Sequence, residues 1–169
     1  GAVRKTDNDF DLAIDGKGFF VVDTPQGERY TRNGSFLRSA NGELVTSDGY
    51  KVMGTAGVIT VDENAKFTVS PTGEIIVDDV PTDNLRLVDF AENVKLEKEG
   101  STLFKAPNGA TPIDSTATIV QGSIEMSNVN VVGEMVKLIT AYRAYETNAK
   151  AVQSHDAMLD KAVNEVGKV

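Results

Sequence analysis

Four places in this sequence combine residue types that could do chemistry. Asp7-Asn8-Asp9-Phe10-Asp11 alternates carboxylates and an amide in the way a calcium loop opens. Such a loop then needs a turn glycine at its sixth position and a bidentate Glu at its twelfth. Leu12 and Gly18 stand there instead, so the segment reads as a solvated acidic lead-in to a strand. Gly16-Lys17-Gly18 comes before a β-rich run, and no third glycine opens a helix. It offers a tight turn, not a phosphate cradle for a dinucleotide.

His155 is the only histidine and has Ser154 and Asp156 as neighbours. Adjacent helical residues project about 100° apart, so these three cannot converge as nucleophile, base and orienting acid. Tyr142 and Tyr145 could stack on a ligand, yet a spacing of three marks a packing face, and a ring with a polar tip suits an interface edge. No catalytic residue, metal site or cofactor is expected, and the chain does not read as an enzyme.

The elements that would position such side chains differ along the chain. All 5 Pro and 12 of the 15 Gly lie in residues 1–120, which carry 12 basic and 19 acidic side chains. There, short β-rich runs alternate with turn dipeptides such as Asn33-Gly34, Asn41-Gly42, Asp48-Gly49 and Thr72-Gly73. The strands expected are Leu12–Ile14, Gly18–Asp23, Arg29–Arg32, Ser35–Arg38, Leu44–Thr46, Ile59–Val61, Phe67–Val69, Ile75–Val77, Leu85–Phe90 and Leu103–Lys105. Gly16, Gly18, Gly34, Gly42 and Gly49 are the turn positions on which the fold should depend. Ser39-Ala40-Asn41-Gly42-Glu43-Leu44-Val45 is echoed by Ser70-Pro71-Thr72-Gly73-Glu74-Ile75-Ile76, which reads as one turn solution used twice.

From Val131 to Val166 apolar or small residues recur at three or four, through Val132, Met135, Ile139, Tyr142, Tyr145, Val152 and Leu159. The pattern predicts a helix about 54 Å long, with Asn130 as N-cap and Gly167 as stop. Its stripe has no partner helix in the chain, so another segment or another molecule must bury it. The fold expected is mainly β with a long C-terminal α-helix: a sandwich- or barrel-like domain over residues 1–120, then a linker and a coiled-coil-type helix over 121–169. Folding of the helix back over the β-domain is the plainer alternative.

The whole chain bears a net charge of −8 and no basic stripe, which would repel a phosphate backbone. With no Cys there is no disulfide framework, zinc-thiolate site or thiol nucleophile. No run approaches the 18 or so apolar residues of a membrane-spanning helix, and Gly1-Ala2-Val3-Arg4-Lys5-Thr6 lacks a signal peptide's apolar segment. The first residue is not Met, as expected of a piece of a longer protein.

Three blocks carry a resemblance. The first is Gly1-Ala2-Val3-Arg4-Lys5-Thr6 with Asp11-Leu12-Ala13-Ile14-Asp15-Gly16-Lys17-Gly18-Phe19-Phe20-Val21-Val22. The second runs through Tyr30-Thr31-Arg32-Asn33-Gly34-Ser35-Phe36 and Asn41-Gly42-Glu43-Leu44-Val45-Thr46-Ser47-Asp48-Gly49-Tyr50. The third is Gln121-Gly122-Ser123-Ile124-Glu125-Met126-Ser127-Asn128-Val129-Asn130-Val131-Val132, followed by Glu134-Met135-Val136 and Arg143-Ala144-Tyr145-Glu146. In this order they resemble bacterial flagellar basal-body rod and hook proteins. Asp7-Asn8-Asp9 departs from that pattern, standing where the family usually has Gly-Asn-Pro.

The resemblance implies a structural subunit of the rod, preceded by an N-terminal helical segment that pairs with the C-terminal helix in the inner tube of a hollow axial filament. It implies further copies and other rod and hook proteins as partners, passage through the flagellar export apparatus without a cleaved signal peptide, and a place in the periplasmic rod of the basal body. The seam would then comprise Val132, Met135, Ile139, Tyr142, Tyr145, Val152 and Leu159, with Asn128, Val129 and Asn130 leading into the helix. The alternative is a periplasmic β-domain that binds peptidoglycan or another rod or hook protein, for which the sequence, without Trp, shows no aromatic platform.

Overall fold

The computed structural model describes residues 2–126, which form seventeen short strands and no helix. In chain order these are β1 (Val3–Lys5), β2 (Leu12–Asp15), β3 (Phe19–Thr24), β4 (Gly27–Thr31), β5 (Leu37–Arg38), β6 (Leu44–Val45), β7 (Lys51–Gly54), β8 (Gly57–Val58) and β9 (Phe67–Val69). They continue with β10 (Glu74–Val77), β11 (Val80–Asn84), β12 (Leu87–Asp89), β13 (Glu97–Glu99), β14 (Leu103–Lys105), β15 (Ile113–Asp114), β16 (Thr118–Gln121) and β17 (Ser123–Glu125).

The unbroken apolar run Phe19-Phe20-Val21-Val22 explains the layering. A strand with one wet face alternates apolar and polar residues, whereas one covered on both faces reads as continuously apolar. Strand β3 is of the second kind and sits inside a ten-stranded sheet, between β4, β7 and β12. Phe20 and Val22 point into the principal core with Leu12, Phe36, Val52 and Ile75. Val21 points the other way, into a smaller cluster with Tyr30, Val88 and Phe90, against which Phe19 and Phe104 pack. Aromatic pairs hold both layers: Phe20 and Phe36 meet edge to face at 5.0 Å, Tyr30 and Phe90 at 4.9 Å.

Three smaller sheets complete the body: β9–β10–β11, β2 with β16, and β1 with β17. The echoed segments adopt one turn. Ser39 N–H donates to Glu43 O and Ser39 Oγ accepts from Glu43 N–H, while Ser70 and Glu74 repeat both bonds. Thr46 and Tyr50 make a third copy, with Thr46 Oγ1 in the serine's role. Each turn closes through a glycine at positive φ: Gly42 (81°), Gly73 (91°) and Gly49 (87°). An ordinary side chain would strain the backbone there.

The expected fold class needs correction. The β-rich domain is present, but the long C-terminal helix is not shown: the described residues contain strands and no helix, and 131–166 lie outside them. A three-and-four spacing stabilises a helix only together with the surface that buries it. The body meanwhile completes its core with strands alone and closes by pairing its first strand with its last. Contacts divide the chain into Gly1–Met126 and Ser127–Val169. The β-unit therefore takes in β16 and β17, part of the stretch beyond residue 120.

Candidate functional site

The chemistry-bearing residues of the described body converge on a neck, where β1 enters and β17 leaves. The two strands pair antiparallel, Val3 opposite Glu125 and Lys5 opposite Ser123, and Met126 N–H donates to Ala2 O at 2.8 Å. At the base of this ribbon Gly122, with φ of 76°, turns its carbonyl toward Thr6 N–H (2.8 Å) and Asp7 N–H (3.0 Å). Its own N–H donates to Asp11 O at 2.8 Å.

The acidic lead-in is spent on turns. Asp11 Oδ2 accepts from Thr6 Oγ1 at 2.7 Å, and Asn8 Oδ1 accepts from Phe10 N–H at 3.0 Å. Asp7 is exposed, 3.4 Å from Lys5 Nζ, and holds φ at 59°. That left-handed conformation explains the departure noted in the sequence: a glycine adopts it without cost, and Asp is among the few other residues that tolerate it. Among the described residues no three His, Cys, Asp or Glu side chains gather as a metal site would require.

Arg32 is the centre of the neck. Its Nη1 donates to Gly16 O (2.9 Å) and Gly18 O (2.7 Å), and its Nη2 to Ile14 O (3.2 Å). Nε and Nη2 both donate to Glu125 Oε2, at 3.0 and 2.5 Å. Gly16 (φ 120°) and Gly18 (φ 151°) bend the β2–β3 turn so that its carbonyls face the guanidinium. A Cβ on Gly16 would stand 2.9 Å from the Ala117 Cβ, and one on Gly18 2.8 Å from the Ser115 Cβ. Beside this, Gly34 passes directly under β2, and Leu12 N–H donates to Gly34 O at 3.0 Å.

Gln121 ties the neck to the three-stranded sheet. Its Oε1 accepts from Val69 N–H at 3.0 Å, and its Nε2 donates to Phe67 O and Asp9 O, each at 2.9 Å. The edge of β9 is thus satisfied by one side chain.

Away from the neck, the nearly buried Arg29 donates to Glu99 Oε2 at 2.6 Å, and that hydrogen bond holds the Glu99 carboxyl below its ordinary range. Burial, then the nearby Glu28 charge, pushes the Tyr30 phenol up. A shallow depression of about 270 Å³ is lined by Gln26, Asp48, Tyr50, Glu99, Ser101 and Thr102. It holds a single ring, less than the aromatic platform the wall-binding alternative calls for.

Arg32, Gly16, Gly18, Gln121 and Glu125 of the neck lie in segments that known proteins share. Residues 13–77 match the profile of the flagellar hook protein FlgE/F/G D1 domain, and residues 120–165 that of the flagellar basal body rod FlgEFG protein C-terminal region. Over 172 residues the chain is 37% identical to the flagellar basal-body rod protein FlgF of Caulobacter vibrioides, covering 100% of this chain and 70% of that protein. The chain belongs to the flagellar basal-body rod protein family. This rod-family chain is also 36% identical to FlgG of Buchnera aphidicola from Acyrthosiphon pisum over 95% of its length and 66% of the relative's. With FlgG of Bacillus subtilis it shares 34% over 96% and 67%. The chain thus spans about two thirds of the length of the curated relatives it matches.

The family is a structural one and not an enzyme family. Within it, relatives named FlgF and relatives named FlgG are both found.

Of the residues singled out in the sequence, Gly16 and Gly18 meet Arg32 at the neck and Gly34 lies against Leu12 of β2, whereas Gly42 and Gly49 close turns elsewhere in the body. Val132, Met135, Ile139, Tyr142, Tyr145, Val152 and Leu159, with Asn128, Val129 and Asn130, lie outside the described residues. Sequence reasoning passed over Arg32, Glu125, Asp11 and Gln121 as individuals, although all four stand inside the blocks that carry the family resemblance.

Proposed function

We propose that this chain is the greater part of a structural subunit of the flagellar basal-body rod, one that assembles with copies of itself and with other axial rod and hook proteins into the hollow shaft transmitting motor torque. Contacts that repeat head to tail without closing build a helical filament, so one subunit type can extend a shaft indefinitely. The work is mechanical, and rigid interfaces do it. The body supplies an outer module, and the apolar series Val132, Met135, Ile139, Tyr142, Tyr145, Val152 and Leu159 supplies the seam between subunits.

The observation that carries this reading is the neck. Among the described residues, Ile14, Gly16, Gly18, Arg32, Gln121 and Glu125 anchor the paired first and last strands to the body. A module that must be displayed from a filament needs such a fixed attachment. A place in the periplasmic part of the rod, reached through the flagellar export apparatus without a cleaved signal peptide, accords with zero Cys, since a subunit that travels unfolded does well without disulfides.

The test is an Ile139→Asp change in the full-length gene at its native locus. An unpaired carboxylate in a packed seam costs several kcal/mol, on the order of 3–5. Rods should be absent from isolated basal bodies and the cells should not swim. Full-length rods and normal swimming would remove Ile139 and its series from the seam.

A further inference from the structure

We propose that Arg32, acting through Glu125, is the positioning residue that sets the direction in which the chain leaves the β-body at Met126. The inference rests on the rod reading for its consequence, but not for its geometry. A ribbon of two three-residue strands is marginal in water and cannot hold its own orientation. Its backbone ties to the body lie at its base, where Gly122 bonds Thr6, Asp7 and Asp11 and Ser123 N–H also donates to Asp11 O. Ties at one end make a pivot. Glu125 lies three residues further along, about 10 Å at the rise of a strand, and there the Arg32 guanidinium takes hold. Two fixed points along a strand define its direction.

Arg32 itself is held independently. Its five N–H donors are all used: two on Glu125 Oε2 and one each on the carbonyls of Ile14, Gly16 and Gly18. The carbonyl cradle fixes the planar fork to the end of β2 and the β2–β3 turn through contacts that do not involve Glu125. Lysine, a point charge on a flexible stem, cannot reproduce that fork. The pair is three-quarters or more buried on both sides, so salt screens it little.

The test uses the whole 169-residue chain in solution. In Glu125→Ala, amides of residues 3–5 and 123–126 should exchange about ten-fold faster or more, while those of β3 and β4 and the urea midpoint stay as in the parent. Residual dipolar couplings of the ribbon should cease to fit the alignment of the body. Glu125→Gln, which keeps the shape and an acceptor oxygen, should restore part of the protection.

Unchanged ribbon couplings in Glu125→Ala would overturn the proposal. So would equal loss of protection throughout β3 and β4, because the pair would then be a general stabiliser. In cells, full-length protein carrying Glu125→Ala should be exported at parental levels yet leave rods incomplete. Normal swimming with a loosened ribbon would refute the positioning role in assembly while leaving the rod reading to the Ile139→Asp result.

Discussion

Replacing Gly34 with alanine adds one methyl group at a point where two backbones touch. A Cβ there would fall on the Leu12 carbonyl oxygen, 2.7 Å from the Leu12 carbonyl carbon and 3.2 Å from Phe20 Cε2. Neither neighbour can give way freely: Leu12 is fully buried, Phe20 nearly so, and Leu12 N–H is bonded to Gly34 O. Displacing β2 strains that bond and the adjacent Phe36 N–H to Phe10 O bond, at about 1–3 kcal/mol for a buried group left unpaired. Overpacking against Phe20 adds about 1–3 kcal/mol. The stiffer unfolded chain of the alanine variant returns roughly 0.5–1 kcal/mol.

The expected net loss is about 1–5 kcal/mol, read as a lower urea midpoint by circular dichroism at constant slope. Gly49→Ala is the matched control. Gly49 has φ of 87° with no heavy atom near its Cβ position, so only backbone strain of about 1–2 kcal/mol applies. A Gly34→Ala variant within about 1 kcal/mol of the parent, or more stable than Gly49→Ala, would refute the close-approach argument.

Asp7→Gly should raise stability by about 0.5 kcal/mol, because the glycine relieves a left-handed φ and the exposed Lys5–Asp7 pair contributes little; a lower urea midpoint would contradict it. Gln121→Ala should cost about 2 kcal/mol and expose the Val69 amide to exchange, since Val69 N–H loses its acceptor. Glu99 titrates below its ordinary 4.5 because of the Arg29 hydrogen bond, so its contribution is full above that value and is lost as pH falls through the lower, folded value. Melting temperatures followed down the acid limb should show a shallower slope for Glu99→Gln than for the parent. Tyr30 is shifted the other way, so its contribution is present below pH 10 and lost as pH rises through its higher folded value. Tyr30→Phe should flatten the alkaline limb.

What could be read in the sequence was what local physics decides. The turn residues of Ser39–Glu43 and Ser70–Glu74 specify their geometry within five residues, and the structure uses it a third time at Thr46–Tyr50. The run from Phe19 to Val22 marked a strand, though not that both its faces are covered or that they serve different clusters. Strands defined by their partners were invisible. β11 begins Val80-Pro81 and reads as a loop until β10 pairs with it, and β13 is entirely charged, as suits an exposed edge. Arg32 and Glu125 both stand in blocks that carry the family resemblance, but 93 residues separate them and no local signal joins them. The apolar series from Val132 to Leu159 shows the converse limit, since spacing names a candidate face without the surface that covers it.

The rod assignment is tested most directly by locating the subunit. The turn at Asn108-Gly109 is exposed and has open space around Gly109, so a short epitope inserted there in the full-length protein should leave the body intact. In basal bodies isolated from cells whose single gene copy carries the epitope, antibody-gold viewed by electron microscopy should decorate the rod. Complete basal bodies with unlabelled rods, from cells that make and export the tagged protein, would contradict the account.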